Sequence, residues 1–292
     1  MSMFNKTLCP AKINLFLHIL GKRADGYHIL ESLVTFAEYG DVLSFVRNED
    51  GLKLKITGAY AAELSDFDIA DNLIIKAAES FEKRFDLKIS GCFELIKKLP
   101  VSSGIGGGSA NAAAALKLLI YAYDKNADID ALLLPLGADV PVCFNDSNVI
   151  MSGIGEGLYE WPRLPQLHAV LVNPNVAVST AKIFAKLNAS TDIAAYDFVD
   201  KPVPKFNDIN ALVAFLKNQR NDMQSAAIDI CPQIGDVLTA LNASTDIMFA
   251  QMSGSGATCF GIFSTSQQAK TAAELLADAH PDWWIQPTIF SG

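Results

Sequence analysis

Hydrophobic and polar residues alternate along "KINLFLHI" (12–19), with Ile13, Leu15, Leu17 and Ile19 on one side and Lys12, Asn14, Phe16 and His18 on the other. A period of two is that of a strand with an apolar back. Lys12 and Asn14 then project from one face, ~6.6 Å apart along the strand. "DVLSFV" (41–46), "LKLKIT" (52–57) and "FELIKKL" (93–99) read as further strands, the last running to Pro100. Helical spacing of apolar residues marks 72–85, about 109–123 and about 128–136, where "LGADVP" ends the pattern.

After "NVIMSGIGEGLYEW", Pro162 and Pro165 mark a boundary, dividing an N-terminal region of 1–164 from a C-terminal region of 165–292. The second region opens with the strand "HAVLVN" and the helix "STAKIFAKLN", capped by Ser179 or Thr180. Helices around 208–218, 221–230 and 232–242 follow, then strands "IMFAQM" and "TCFGIF" on either side of "SGSGA" (253–257). A helix at 266–279 and the strand "WWIQPTIF" close the chain. Leaving out the extra helices, the order is β-α-β-β-α-β, the ferredoxin-like pattern.

Composition limits what such a chain can bind. Half of its 292 residues are hydrophobic and 19% are charged, as in a globular protein, and the length suits two compact domains. A net charge of −9 and a pI near 4.9 argue against nucleic acid or an anionic membrane as partner, so an anionic small molecule would need a local site. Five scattered cysteines without a C-x-x-C pair read as reduced thiols, and no apolar run approaches membrane-spanning length, so a cytoplasmic location is expected. The four histidines (18, 28, 168 and 280) show no metal-ligand spacing, and no metal-binding residue is assigned.

"SSGIGGGSANAAAAL" (102–116) places four glycines and three serines before the best helix-forming run in the chain. Strand, glycine loop and alanine helix together suit a loop that holds phosphate on backbone N–H groups at a helix N-terminus. The lysine of a G-x-x-x-x-G-K-[ST] loop is missing, and G-x-G-x-x-G fails because Ser109 stands at the third glycine. Tight packing of the loop on a neighbouring strand is the alternative. For Asp139, in "GADVP", the alternative to a chemical role is a helix N-cap. For Lys12 and Asn14 it is an exposed strand position, for Tyr27 and His28 an ordinary turn after "ADG", and for Phe184 core packing.

"LPVSSGIGGGSANAAAAL" resembles the phosphate-binding motif of the galactokinase, homoserine kinase, mevalonate kinase and phosphomevalonate kinase (GHMP) superfamily. "PAKINLFL" (10–17), "RADGYH" (23–28), "LGADVPVCF" (136–144), "VSTAKIF" (178–184) and "SGSGATCFGIF" (253–263) narrow the likeness to its 4-diphosphocytidyl-2-C-methyl-D-erythritol kinases. The resemblance implies an α+β, two-domain architecture, with an N-terminal domain like domain 2 of ribosomal protein S5 and a C-terminal ferredoxin-like domain. It also implies transfer of the γ-phosphoryl of ATP, with Mg²⁺, to the 2-hydroxyl of that cytidine-bearing substrate in non-mevalonate isoprenoid synthesis. On the same ground Lys12 and Asp139 are the catalytic positions. Pro100, Val101, Ser102, Ser103, Gly104, Ile105, Gly106, Gly107, Gly108, Ser109 and Ala110 hold ATP. Asn14, Tyr27, His28, Thr180 and Phe184 line the substrate pocket, Tyr27 stacking on cytosine and His28 reading its edge. Two positions depart from the pattern: Ile105 replaces a leucine and Ala110 a second serine. The rival readings are another small-molecule GHMP kinase and a non-catalytic S5-like binding protein.

Overall fold

The computed structural model describes residues 6–65, 68–125, 128–187, 194–199 and 203–291. Its first elements are β1 (Lys6–Asn14), β2 (His18–Lys22), β3 (His28–Arg47), β4 (Leu52–Thr57), α1 (Leu73–Phe85), β5 (Gly91–Ile96) and α2 (Gly107–Ala122). Next come α3 (Asp130–Leu136), α4 (Val140–Asn145), β6 (Val149–Gly153), β7 (Gly157–Glu160), β8 (Leu167–Asn173) and α5 (Thr180–Lys186). The chain continues with α6 (Ile209–Leu216), α7 (Gln224–Ile230), α8 (Gln233–Asn242), β9 (Ile247–Met252), β10 (Cys259–Phe263), α9 (Ser266–Ala279) and β11 (Trp284–Ser291). These elements form two compact units, and neither is one stretch of chain: 1–11, 39–101 and 106–145 make the first, and 12–38, 102–105 and 146–292 the second.

In the first unit β4 pairs in parallel with β5, which pairs antiparallel with the second half of β3. Asn72 caps α1 through Ile74 N–H at 3.0 Å, and Ile74, Ala77, Ala78 and Phe81 form its buried stripe. Helix α2 is buried on nearly every side from Ala110 to Leu116, and its alanines let α1 and α4 approach its backbone. Such a helix has no polar face to lose, so its N-terminus can be given over to binding.

The second unit carries four antiparallel strands in the ferredoxin-like order β11-β8-β10-β9, and β11 continues the sheet by pairing antiparallel with the first half of β3. Val170 and Val172 from β8, Cys259 and Phe263 from β10, and residues of α7, α8 and α9 build its core. A capping box between Thr265 and Gln268 starts α9. The same unit holds the first half of β3, flanked by β2 and β6, with β6 and β7 forming a hairpin.

Two expectations need correction. The alternating 12–19 segment is not one strand: β1 ends at Asn14 and β2 starts at His18, while Leu17 forms a parallel bridge with Asn221. Nor is its second face open, because Lys12, Asn14, Phe16 and His18 are all buried, with Phe16 stacked on His18 at 4.7 Å. The strand expected at 41–46 begins at His28. From Ile29 to Ala37 this strand is covered on both faces, which removes the alternation that would have shown it. The β6–β7 hairpin was not anticipated, α4 starts where the cap reading of Asp139 placed a helix, and residues 188–193, where "STAKIFAKLN" was expected to end, lie outside the described residues.

Candidate active site

In the first unit the glycine loop opens into α2. The N–H groups of Gly107, Gly108 and Ser109 precede the first helical bond, from Ala110 N–H to the Gly106 carbonyl at 2.8 Å, and Gly106 at the N-cap has no side chain to cap them. Uncapped donors at the positive end of a helix dipole fit a polyphosphate. Left-handed backbone at Gly106 (φ +64°) turns the chain into these donors. A Cβ on Gly107 or Gly108 would meet nothing nearer than 3.4 Å, so their bareness answers no crowding from the protein itself.

Two features of the same unit position this helix end. Asp41, fully buried, accepts from Lys98 N–H at 2.7 Å and Leu99 N–H at 2.8 Å, and it pairs with Lys97 Nζ at 2.7 Å. It therefore fixes the chain just before Pro100 and Val101. Sequence reasoning missed it, since a lone aspartate in "YGDV" carries no motif. The second feature is the turn Gly137–Ala138–Asp139: a Cβ on Gly137 would lie 3.9 Å from Ser109 Oγ. Cys143 N–H donates to the Asp139 carbonyl at 3.1 Å, so Asp139 stands where α4 starts, as its reading as a cap requires.

The second unit holds the other half of the loop. Lys12 N–H donates to the Ile105 carbonyl at 2.9 Å, and Thr258 N–H to the Ser103 carbonyl at 3.2 Å. Asn14 N–H donates to Ser253 Oγ at 3.1 Å. A Cβ on Gly104 would sit 2.5 Å from the Gly256 carbonyl oxygen, so Gly104 serves the close packing of this loop on "SGSGA", the alternative foreseen for the glycines. Ile105 is fully buried, and Ala110, in α2 of the first unit, is nearly so. Lys12 belongs to this second unit and Asp139 to the first.

Also in the second unit, Phe184 on α5 stacks against His28, with ring centroids 4.7 Å apart. His28 Nε2 is buried without a hydrogen-bond partner among the described residues. Burial, helped by Lys22, pushes the His28 pKa below its ordinary value, so the imidazole is neutral at pH 7. Tyr27 is 60% exposed, on a turn held by Tyr27 N–H to Asp25 at 3.3 Å and an Arg23–Asp25 pair at 2.7 Å. Thr180 Oγ1 and Ser255 Oγ lie 2.8 Å apart, and Ser179 is the residue that caps α5.

Models of the N-terminal and C-terminal domains of GHMP kinases match residues 72–153 and 203–282. The chain is 45% identical over 287 residues, 97% of its length and 92% of the relative's, to a 4-diphosphocytidyl-2-C-methyl-D-erythritol kinase of Roseobacter denitrificans. It belongs to that family of GHMP kinases. A family member from Paramagnetospirillum magneticum is 43% identical, with 95% of each chain covered. The crystal structure of a 4-(cytidine 5'-diphospho)-2C-methyl-D-erythritol kinase superposes with a TM-score of 0.77 at 28% identity, covering 98% of this chain and 100% of that one. An L. major mevalonate kinase solved with R-mevalonate shares the fold, at a TM-score of 0.66 and 15% identity. The α+β architecture expected for a 4-diphosphocytidyl-2-C-methyl-D-erythritol kinase is therefore the one found. Among the described residues no helix is long and apolar enough to cross a membrane.

Proposed function

We propose that this chain transfers the γ-phosphoryl of ATP to the 2-hydroxyl of 4-diphosphocytidyl-2-C-methyl-D-erythritol, a step of non-mevalonate isoprenoid synthesis. The observation that carries the reading is the uncapped N-terminus of α2, whose Ser109 neighbours the Gly137–Asp139 turn. Donors for a triphosphate and a carboxylate for the acceptor hydroxyl thus lie on adjoining elements of one unit.

Phosphoryl transfer needs positioning and charge neutralisation more than covalent chemistry. In this proposal residues 100–110 hold the triphosphate, with the α2 amides as the main grip. Asp139 accepts the proton of the substrate hydroxyl or orients that hydroxyl. Lys12 offsets negative charge on the attacking oxygen and the moving phosphoryl. Ser109 is the hydroxyl this chain would offer to a Mg²⁺ brought with the nucleotide, and that ion would supply neutralisation of phosphate charge. Asn14, Thr180 and Phe184 position the substrate, while Tyr27 stacks on its cytosine and His28 reads the base edge. The functional division is placed at 164/165, supported by the two family models falling on either side. Five free cysteines support a reducing, cytoplasmic setting.

Product analysis with ATP, Mg²⁺ and this substrate tests the activity. Asp139→Asn tests the assignment, because an amide keeps the shape and still caps a helix. The expected result is unchanged ATP binding with kcat lower by ~10²–10⁴. Near-normal turnover would reduce Asp139 to its structural position.

A further inference from the structure

His18 is 2% exposed, and neither of its ring nitrogens has a hydrogen-bond partner among the described residues. A buried imidazole with both nitrogens unsatisfied is costly to keep in a fold. Its surroundings are not inert. In the β2–β3 register His18 stands directly opposite Glu31, which is also fully buried. The Glu31 carboxylate accepts Asp197 N–H at 3.0 Å and Phe198 N–H at 2.8 Å. Asp197 is thereby tied to Glu31 through its own backbone, which brings a second carboxylate to the imidazole. One ligand atom from each of His18, Glu31 and Asp197 lies within 4.8 Å of the other two.

We propose that His18, Glu31 and Asp197 bind a divalent transition-metal cation, with Zn²⁺ as the best match, at a site separate from the nucleotide and its Mg²⁺. Zinc bonds of ~2.0–2.2 Å in tetrahedral geometry set ligand atoms about 3.4 Å apart, so the cluster closes on an ion by side-chain movements of ~1.4 Å or less. One imidazole and two carboxylates select against Mg²⁺ and Ca²⁺, which take all-oxygen shells. Charge favours a cation as well. Glu31 and Asp197 together offer two carboxylates to a divalent ion beside the imidazole. Arg220, the cation that acts on His18, is committed to Asp222 at 2.6 Å. Phe16, stacked on the imidazole, and Phe198, 6.5 Å from it, wall the cluster with aromatic rings. Three protein ligands leave one position for water, and the ion would fasten the segment of Asp197 and Phe198 to β2 and β3.

The test is calorimetric titration of the full-length, chelator-stripped protein with ZnCl₂ in excess Mg²⁺, with bound metal counted by mass spectrometry. One equivalent of zinc is expected, together with a rise in thermal midpoint. Asp197→Asn alters an exposed side chain and keeps the backbone bond to Glu31, so the fold should persist while zinc affinity falls about tenfold or more. His18→Phe should abolish the site. No stoichiometric zinc, or equal affinity in the unmodified protein and Asp197→Asn, overturns the proposal.

Discussion

Asn14 Nδ2 donates to Ser32 Oγ at 2.7 Å, and the Ser32 hydroxyl donates onward to the Phe16 carbonyl at 2.5 Å. A hydroxyl has one proton, and here it is committed to a backbone carbonyl, so Ser32 can only accept from Asn14. That fixes the polarity of the amide. Asn14 Oδ1 is left buried and without a partner among the described residues, 3.2 Å from where a Cβ on Gly254 would lie. Asn14 therefore presents an acceptor, which suits a substrate hydroxyl and repels phosphate oxygens. Ser32→Ala frees the amide to rotate, and kcat/KM for the phosphoryl acceptor is expected to fall about tenfold, with ATP affinity unchanged. Ser32→Thr keeps the hydroxyl and should restore most of the loss. Equal kinetics for the Ala and Thr variants would show that Ser32 does not orient Asn14.

The glycines of the loop divide into two kinds. Gly104 has φ +75°, and a Cβ there would lie 2.5 Å from the Gly256 oxygen and 2.6 Å from its nitrogen, whereas a Cβ on Gly108 meets only Leu73 Cδ1 at 3.4 Å. Gly104→Ala is expected to destabilise the protein by ~2–4 kcal/mol, from overpacking plus a left-handed alanine. Gly108→Ala should leave stability unchanged or raise it by up to ~1 kcal/mol, since alanine is the better helix former. Its cost should appear in ATP affinity instead. Thermal melts and nucleotide titration of both variants separate the roles, and a stable Gly104→Ala protein would refute the division.

What the sequence made legible follows from how local each signal is. The "SGSGA" turn, the apolar stripe of α1 and the alternation of β4 depend on neighbours a few residues apart, and all are present as expected. Strand β3 was only half seen because burial on both faces erases a period of two. Asp41, Ser32 and Glu31 were missed for another reason. Each acts through partners 16 to 167 positions away, and no spacing rule connects residues that only the fold brings together. The reading of the histidines as lacking metal-ligand spacing has the same limit, because His18, Glu31 and Asp197 meet only across strands and a loop.

Burial sets a pH dependence whose sign can be worked out. His18 and His28 have pKa values below the ordinary ~6.5, desolvation being the main cause for both. As pH falls through ~6.5 the unfolded chain takes up these protons and the folded chain does not, so stability is full above that value and is lost on acidification. Glu31, raised by burial, protonates first in the folded state and opposes the loss closer to its own titration. In metal-free protein the urea midpoint should therefore fall between pH 7.5 and 6, and His18→Phe should flatten the slope. A slope of the opposite sign, or one untouched by the substitution, would mean His18 is not held neutral.

His28 offers the sharpest test of how a cytidine is chosen. Phe184 covers one face of its ring, so the imidazole is placed to work through its edge, where Nε2 lacks a partner among the described residues. Tyr27, 60% exposed, is free to lie against a base. Stacking on tyrosine accepts any pyrimidine face and cannot by itself select cytosine. Selection needs hydrogen bonds to the base edge, where cytosine offers an N4 donor and an N3 acceptor and uracil reverses both. If His28 and nearby backbone satisfy the cytosine pattern, a uridine analogue leaves two groups mismatched, each costing ~1–3 kcal/mol. Together these should reduce kcat/KM by roughly 30-fold to well over 10³-fold. Tyr27→Ala is expected to weaken both substrates alike, whereas His28→Ala should narrow the gap between them by lowering cytidine activity. His28→Asn, which restores a donor and an acceptor near the same place, should reopen part of that gap. Equal kcat/KM for cytidine and uridine substrates in the unmodified protein would remove His28 as the reader of the base.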